Sequence, residues 1–248
     1  MRIRARSVGT MEIDKDRYIA LDGANLQGAD FSNRDLLGFC AIGSRLVDCR
    51  FDNIRIESAS FGAGRKMSEY IDCVFDGARM TPAVGGYTRF LRCSFRNVDI
   101  DEWFCFAVEI VDCTFSGKLR GAVFNGTVPK EDRRDVKRSR NEFRGNDFSG
   151  MDIKDSAFRT GIDLSLQVLP SGPDYVYLPD AESTLRRVRE ALSQVNGDVD
   201  AMAWIIGFHE RGLSGGQRQL LLRRDEHSRD MDESSLDTLF TLLASNAS

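Results

Sequence analysis

Four cysteines, Cys49, Cys73, Cys93 and Cys113, each stand two residues before a phenylalanine, in VDCRFDN (47–53), IDCVFDG (71–77), LRCSFRN (91–97) and VDCTFSG (111–117). Four thiols in related settings are raw material for a tetrahedral metal site or for a disulfide framework. A zinc site needs thiolates converging on one point at about 2.3 Å. A disulfide needs Cβ atoms about 3.5–4.5 Å apart. The spacing decides between these chemistries and a purely structural role. Successive cysteines are 24, 20 and 20 residues apart, and Phe51, Phe75, Phe95 and Phe115 keep step with them. A fixed long period is the signature of a repeat architecture.

Inside the twenty lies a beat of five. Leu26, Phe31, Leu36, Ala41, Leu46, Phe51, Ile56 and Phe61 follow at five-residue steps. Four extra residues intervene, and the beat resumes from Tyr70 through Phe75, Phe90, Phe95 and Ile110 to Phe115. It returns in Phe143, Phe148, Ile153 and Phe158. The position two before each is usually small: Ala24, Ala29, Ser44, Cys49, Ser68, Cys73, Ser156. A five-residue beat fits neither a helix (3.6) nor a strand (2). It fits a chain that turns a corner every five residues, four sides to a coil, with coils stacked about 4.8 Å apart. The phenylalanines then form one vertical ladder and the cysteines its companion. Stacked thiols point the same way and do not converge on a metal, and the coil spacing exceeds the Cβ separation of a disulfide. The cysteines are therefore expected to fill the core as small hydrophobes. Cys40 falls one residue off the inward beat and is expected either to be the readily reactive thiol or, if the register slips locally, to be buried.

The segments ANLQGADFSN (24–33) and NDFSGMDIKDSAFRT (146–160) resemble the A(D/N)LXX repeats of pentapeptide-repeat proteins. The resemblance covers residues 20–165, about two-thirds of the chain. It implies a mainly β fold: a right-handed quadrilateral parallel β-helix, here with a C-terminal α-helical extension. Residues 1–20 read as a lead-in or cap, 21–165 as the β-helix, 166–179 as a linker or cap and 180–248 as a helical tail.

Two insertions interrupt the β-helix, near 62–67 and 126–141. The second carries Lys130, Arg133, Arg134, Lys137, Arg138 and Arg140 against Glu131, Asp132 and Asp135. It reads either as a basic finger for phosphate or an acidic partner or as a solvated flexible loop. In the tail, Asp180 is placed to cap a helix carrying Leu185, Val188, Leu192 and Val195. A second helix is expected over 199–211, a third after Ser214, and a last one with Leu236, Leu239, Phe240 and Leu243 on one face. That stripe packs against the other helices or forms a dimer contact. The resemblance implies the latter, because gyrase-protecting members dimerise through their C-terminal ends.

Other chemistry is thin. GLSGGQRQ (212–219) reads like the signature sequence of ABC-type ATPases, but no Walker A loop accompanies it; GAGRKMS (62–68) fails the spacing. Ser214 and Gln217 are instead expected to form a capping box. His209 and His227 both lie in the tail, and His209-Glu210 reads as a surface pair. No G-x-S-x-G elbow or H-E-x-x-H motif occurs. The expectation is no enzyme, no metal and no cofactor.

The formal net charge is −4. Residues 1–178 hold 26 basic and 26 acidic residues; residues 179–248 hold 8 and 12. No secretory h-region opens the chain and no apolar run is long enough to span a bilayer, so a cytoplasmic location with reduced thiols is expected. The resemblance implies a protein partner, DNA gyrase or topoisomerase IV in its most specific form, bound by DNA-like shape. A DNA mimic should carry an acidic face. The alternative is an interaction scaffold acting through the tail or the basic loop. Membrane association and direct nucleic-acid binding are not expected.

Overall fold

The computed structural model describes residues 10–14, 17–81 and 83–247. It divides into two compact units, residues 1–157 with 166–168, and residues 158–165 with 169–248. The division differs from the expected one: 166–168 belong with the β-helix, and 169–179 belong with the helical unit.

The first unit is a parallel β-helix. Left-handed backbone conformations recur in five-residue steps, at Gly23, Gly28 and Asn33 and again at Gly43, Asp48 and Asn53. Each lies three residues before an inward side chain. Glycine, asparagine and aspartate tolerate a positive φ best, which is why these types recur at the corners. Between corners the chain is extended, and each coil hydrogen-bonds to the next. The N–H of Phe51 donates to Val74 O at 2.7 Å, and that of Phe75 to Ser94 O at 2.7 Å. Parallel register aligns Leu26 with Leu46, Leu46 with Tyr70, Tyr70 with Phe90 and Phe90 with Ile110. A third face aligns Leu36, Ile56, Met80, Ile100, Leu119 and Ile153.

The phenylalanine ladder is continuous. Ring centroids of Phe31–Phe51, Phe51–Phe75, Phe75–Phe95, Phe95–Phe115 and Phe115–Phe148 lie 4.9, 4.6, 4.7, 4.9 and 4.6 Å apart. That is the spacing of neighbouring strands, so backbone pairing and ring stacking support one another. All six rings are buried, each contributing about 1.5–3 kcal/mol relative to exposure.

One coil runs a residue short. Ile100 pairs with Leu119, and Cys105 with Phe124. The corner is cut at Gly117, φ +106°, where a Cβ would stand 2.2 Å from Val98 O. The beat therefore persists through Leu119 and Phe124 before the second insertion.

At the N-terminus, Thr10–Asp14 pairs antiparallel with Tyr18–Asp22 on the first coil. Residues 1–9 and 15–16 of the expected lead-in lie outside the described residues.

Helix α1 (Arg133–Val136) sits in the second insertion. The second unit holds α2 (Ala181–Ala191), α3 (Val199–Gly212) and α4 (Glu233–Ser245). Each begins at an aspartate whose side chain accepts a first-turn N–H: Asp180 from Ser183, Asp198 from Ala201, Asp232 from Ser235. The helix expected after Ser214 is not there. A single 3-10 turn, Ser214–Gly216, stands in its place; Gly215 and Gly216 take positive φ, which does not continue into an α-helix, and Leu220–Arg223 pairs antiparallel with Tyr175–Leu178. That strand, in the segment expected as a linker or cap, places Val176 and Leu178 in the unit's core. Among the described residues no helix is long and apolar enough to cross a membrane.

Candidate partner-binding surface

The cysteine ladder resolves as core. Cys49, Cys73, Cys93 and Cys113 are buried and unbridged. Each Sγ faces the carbonyl two residues earlier, at 3.4–3.6 Å. Serine does the same elsewhere in the coil: Ser44 Oγ donates to Ile42 O and accepts the Ala24 N–H. Burial pushes the Cys93 and Cys105 thiols well up. Cys40 is half-buried, and burial, then Asp22, raise its pKa as well. It is thus a poorer nucleophile than its place off the beat suggested.

The second insertion is built, not loose. Its neck is closed by a bridge between Thr127 and Arg140 and by the Asn141 N–H on Gly126 O at 2.9 Å. Asn141, buried, donates through Nδ2 to Phe106 O and Asn125 O at 2.9 and 2.8 Å. Arg138 turns inward: Nη2 donates to Ala107 O at 2.8 Å, and Nε lies 3.3 Å from Glu109. Burial lowers the pKa of Arg138 against the pull of Glu109. Tyr87 Oη donates to Asp132 at 2.6 Å. That bond, with burial, pushes the Tyr87 hydroxyl up to about 12.

The two insertions meet. Arg65 of the first lies 3.7 Å from Asp135 of the second, and Arg138 Nη1 lies 3.4 Å from Met67 Sδ. Gly62 makes the approach of the first insertion to its neighbouring coil practicable; a Cβ there would stand 2.2 Å from Tyr87 O. Of the six basic residues picked out in sequence, Arg138 is therefore an anchor. Lys130, Arg133, Arg134, Lys137 and Arg140 are exposed. Arg65 and Lys66 join them from the first insertion, a pairing that linear sequence does not show. Against these seven cations stand three acids: exposed Glu131, Asp132 bonded to Tyr87, and Asp135 beside Arg65, so the surface is net cationic.

Two rows of outward side chains on the β-helix carry no such bias. Outward positions in register run Arg45, Glu69, Arg89, Glu109 on one face, and Asp35, Arg55, Arg79, Asp99, Lys118, Asp152 on another. Arg92 pairs with Asp72 at 2.7 Å, and Arg120 with Asp99 and Asp101 at 2.6 and 2.7 Å.

In the helical unit, Leu236, Leu239, Phe240 and Leu243 are buried within the unit's own core. Gln217 caps no helix. Its backbone is extended, and its side chain accepts the Gly161 and Ile162 N–H groups at 3.0 and 3.1 Å and donates to Ile162 O and Gln219 O. The Ser214 side chain lies outside the described residues. His209 does not pair with Glu210, which binds Arg189 at 2.6 Å. Its Nε2 meets His227 Nε2 at 3.1 Å. Burial, with His227 second, lowers the His209 pKa to about 3. Among the described residues no cluster of three metal-ligating side chains occurs.

No protein-family model matches the chain, and no curated protein sequence matches it. Solved structures similar to it include two of QnrB1, a plasmid-mediated fluoroquinolone resistance protein. The first is 16% identical over 63% of this chain and 74% of that one, TM-score 0.20; the second is 17% identical over 64% and 84%, TM-score 0.27. Another is HetL, a pentapeptide-repeat protein involved in heterocyst differentiation regulation in the cyanobacterium Nostoc sp. strain PCC 7120. It is 12% identical over 62% of this chain and 90% of that one, TM-score 0.19. The fold is fixed by this chain's own coil. A chain that turns a corner every five residues, and stacks its coils so that one ring sits on the next, folds as the parallel β-helix with a pentapeptide period that the sequence resemblance implies.

Proposed function

We propose that this protein is a non-catalytic, protein-binding β-helix that engages an acidic partner through the joined insertions at 62–67 and 126–141. The carrying observation is the anchored cationic surface. Arg138, Asn141 and Tyr87 fix the backbone, so Lys130, Arg133, Arg134 and Lys137 are presented with little ordering left to lose on binding. Clustered charge of one sign speeds encounter with an opposite surface and makes binding salt-dependent.

The most specific form of this reading is protection or modulation of a type II topoisomerase such as DNA gyrase. The projecting insertions and the sequence resemblance to pentapeptide-repeat proteins favour it. The mixed charges of two β-helix rows offer no acidic face there for imitation of DNA's charge and direct attention to the insertions. A gyrase supercoiling assay with a poison, titrated with this protein, tests it. Rescue by the wild type and its loss in K130E/R133E/R134E/K137E is the expected result. No effect at tens of micromolar, with gyrases from several sources, overturns the topoisomerase form. The binding reading falls if the quadruple variant retains the affinity and salt dependence of the wild type for its partner.

A further inference from the structure

Helix α3 carries an apolar face that its own unit does not cover. Trp204 and Phe208 are 57% and 51% exposed, and their rings stack at 6.0 Å. Met202, Ile205 and Ile206, on the opposite side, fill the core. At 100° per residue, Asp200, Trp204, Gly207, Phe208 and Arg211 share the outer face. Asp200 and Arg211 are exposed and lie at opposite ends of that face. Neither has an ion-pair partner among the described residues.

Gly207 is the odd member. Its φ is not positive, and a Cβ there would meet only Arg189 Nη2 and Arg211 Nη1, each at an ordinary 3.6 Å. Nothing within the chain requires glycine, yet glycine inside a helix costs about 1 kcal/mol relative to alanine. A partner that needs the space would account for it.

We infer that this face binds a second copy of itself, α3 against α3 in antiparallel across a two-fold axis, with Trp204 of each copy seated over Gly207 of the other. One register pairs the two charged ends and sets a large ring on a small residue. Setting Asp200 against Arg211 of the second copy places Trp204 opposite Gly207, with Phe208 flanking the contact. An isologous contact requires this self-complementarity, and the opposite charges at the two ends select the antiparallel direction. The inference is independent of the proposed partner. It also uses a face other than the Leu236–Leu243 stripe, which the unit buries internally.

Sedimentation of the full chain from 1 to 100 µM tests it. The expected result is a concentration-dependent shift from 27.8 kDa to twice that mass. Asp200→Arg and Arg211→Asp should each weaken association about tenfold or more, since each places like charges at both ends of the contact. Mixing the two variants should restore a dimer, because only the mixed pair has opposite charges at both ends. Gly207→Leu should abolish association while circular dichroism and melting temperature show the fold intact. Trp103 is fully buried, so a blue shift of tryptophan emission with concentration reports Trp204. A wild type monomeric at 100 µM overturns the inference, as does an unchanged dimer in Gly207→Leu or a mixture that stays monomeric.

Discussion

The backbone N–H of Cys93 donates to the sulfur of Cys113 in the next coil, at 3.3 Å. The same bond recurs with other atoms: the Ser44 N–H to Ser68 Oγ at 3.2 Å, the Ala122 N–H to Ser156 Oγ at 3.1 Å, and the Cys113 N–H to Asn146 Oδ1 at 3.0 Å. The small inward position is thus a hydrogen-bonding slot. A short side chain offers a lone pair to the coil before it, and a thiol or hydroxyl there, as in Cys113, Ser44 and Ser156, turns its proton to the carbonyl two residues earlier. Cysteine, serine and asparagine occupy it on equal physical terms, and the cysteines need no metal or bridge to explain them.

Thiol chemistry should follow that burial. In native protein a thiol reagent should modify Cys40 alone, and slowly, because its thiolate is disfavoured. All six cysteines should react in denaturant. Rapid modification of two or more native thiols would contradict the buried ladder.

Removing one ring from the middle of the stack should be severe. Phe75 stacks on Phe51 and Phe95 at 4.6 and 4.7 Å. Phe75→Ala should cost about 3–5 kcal/mol, measured by urea unfolding with Trp103 emission as the probe of the β-helix.

Arg138→Ala should loosen the second insertion without dissolving the coil. Glu109, 8% exposed, would lose its nearest cation and keep only Arg89, at 3.9 Å. A loss of about 3 kcal/mol is expected, the low end for a broken buried pair. Limited trypsin digestion should then cut at Lys130, Arg133, Arg134 or Lys137 faster than in the wild type.

Acid should destabilise the helical unit through His209. Its folded pKa, about 3, lies below the ordinary value of 6.5, so the unfolded chain binds the proton more readily. Stability from this group is complete above about pH 6.5 and falls towards pH 3, by up to about 1.4 kcal/mol per pH unit. Thermal melts between pH 7.5 and 5 should show this slope, and His209→Gln should flatten it.

Gln217 should matter to the fold and not to nucleotide binding. Gln217→Ala strands the Gly161 and Ile162 N–H groups, costing about 1–3 kcal/mol. Millimolar ATP should leave the melting temperature of the wild type unchanged; a rise of several degrees would reopen the nucleotide reading.

The core of the β-helix was legible because its period is local. Phe31, Phe51 and Phe75 declare the coil by spacing alone, since each inward side chain must recur once per side. The turn at 213–217 was misread because S-x-x-Q is ambiguous in isolation. Two successive glycines and a strand partner more than forty residues earlier, at Tyr175–Leu178, decided it. His209 was assigned to Glu210 because adjacency in sequence is visible, whereas His227 reaches it only after α3 and the Arg224–His227 turn are packed.

Sequence by itself determined the coil, its ladders, the fate of the four repeat cysteines and the existence of both insertions, because short-range steric rules at the corners and the burial of every fifth residue leave one solution. Tertiary structure alone decided that the two insertions touch, that Arg138 faces inward while its basic neighbours face outward, and that α3, not α4, leaves an apolar face uncovered. The first two depend on contacts between residues 29 to 71 positions apart, whose energies are set by distance in space, and no periodicity along the chain records them.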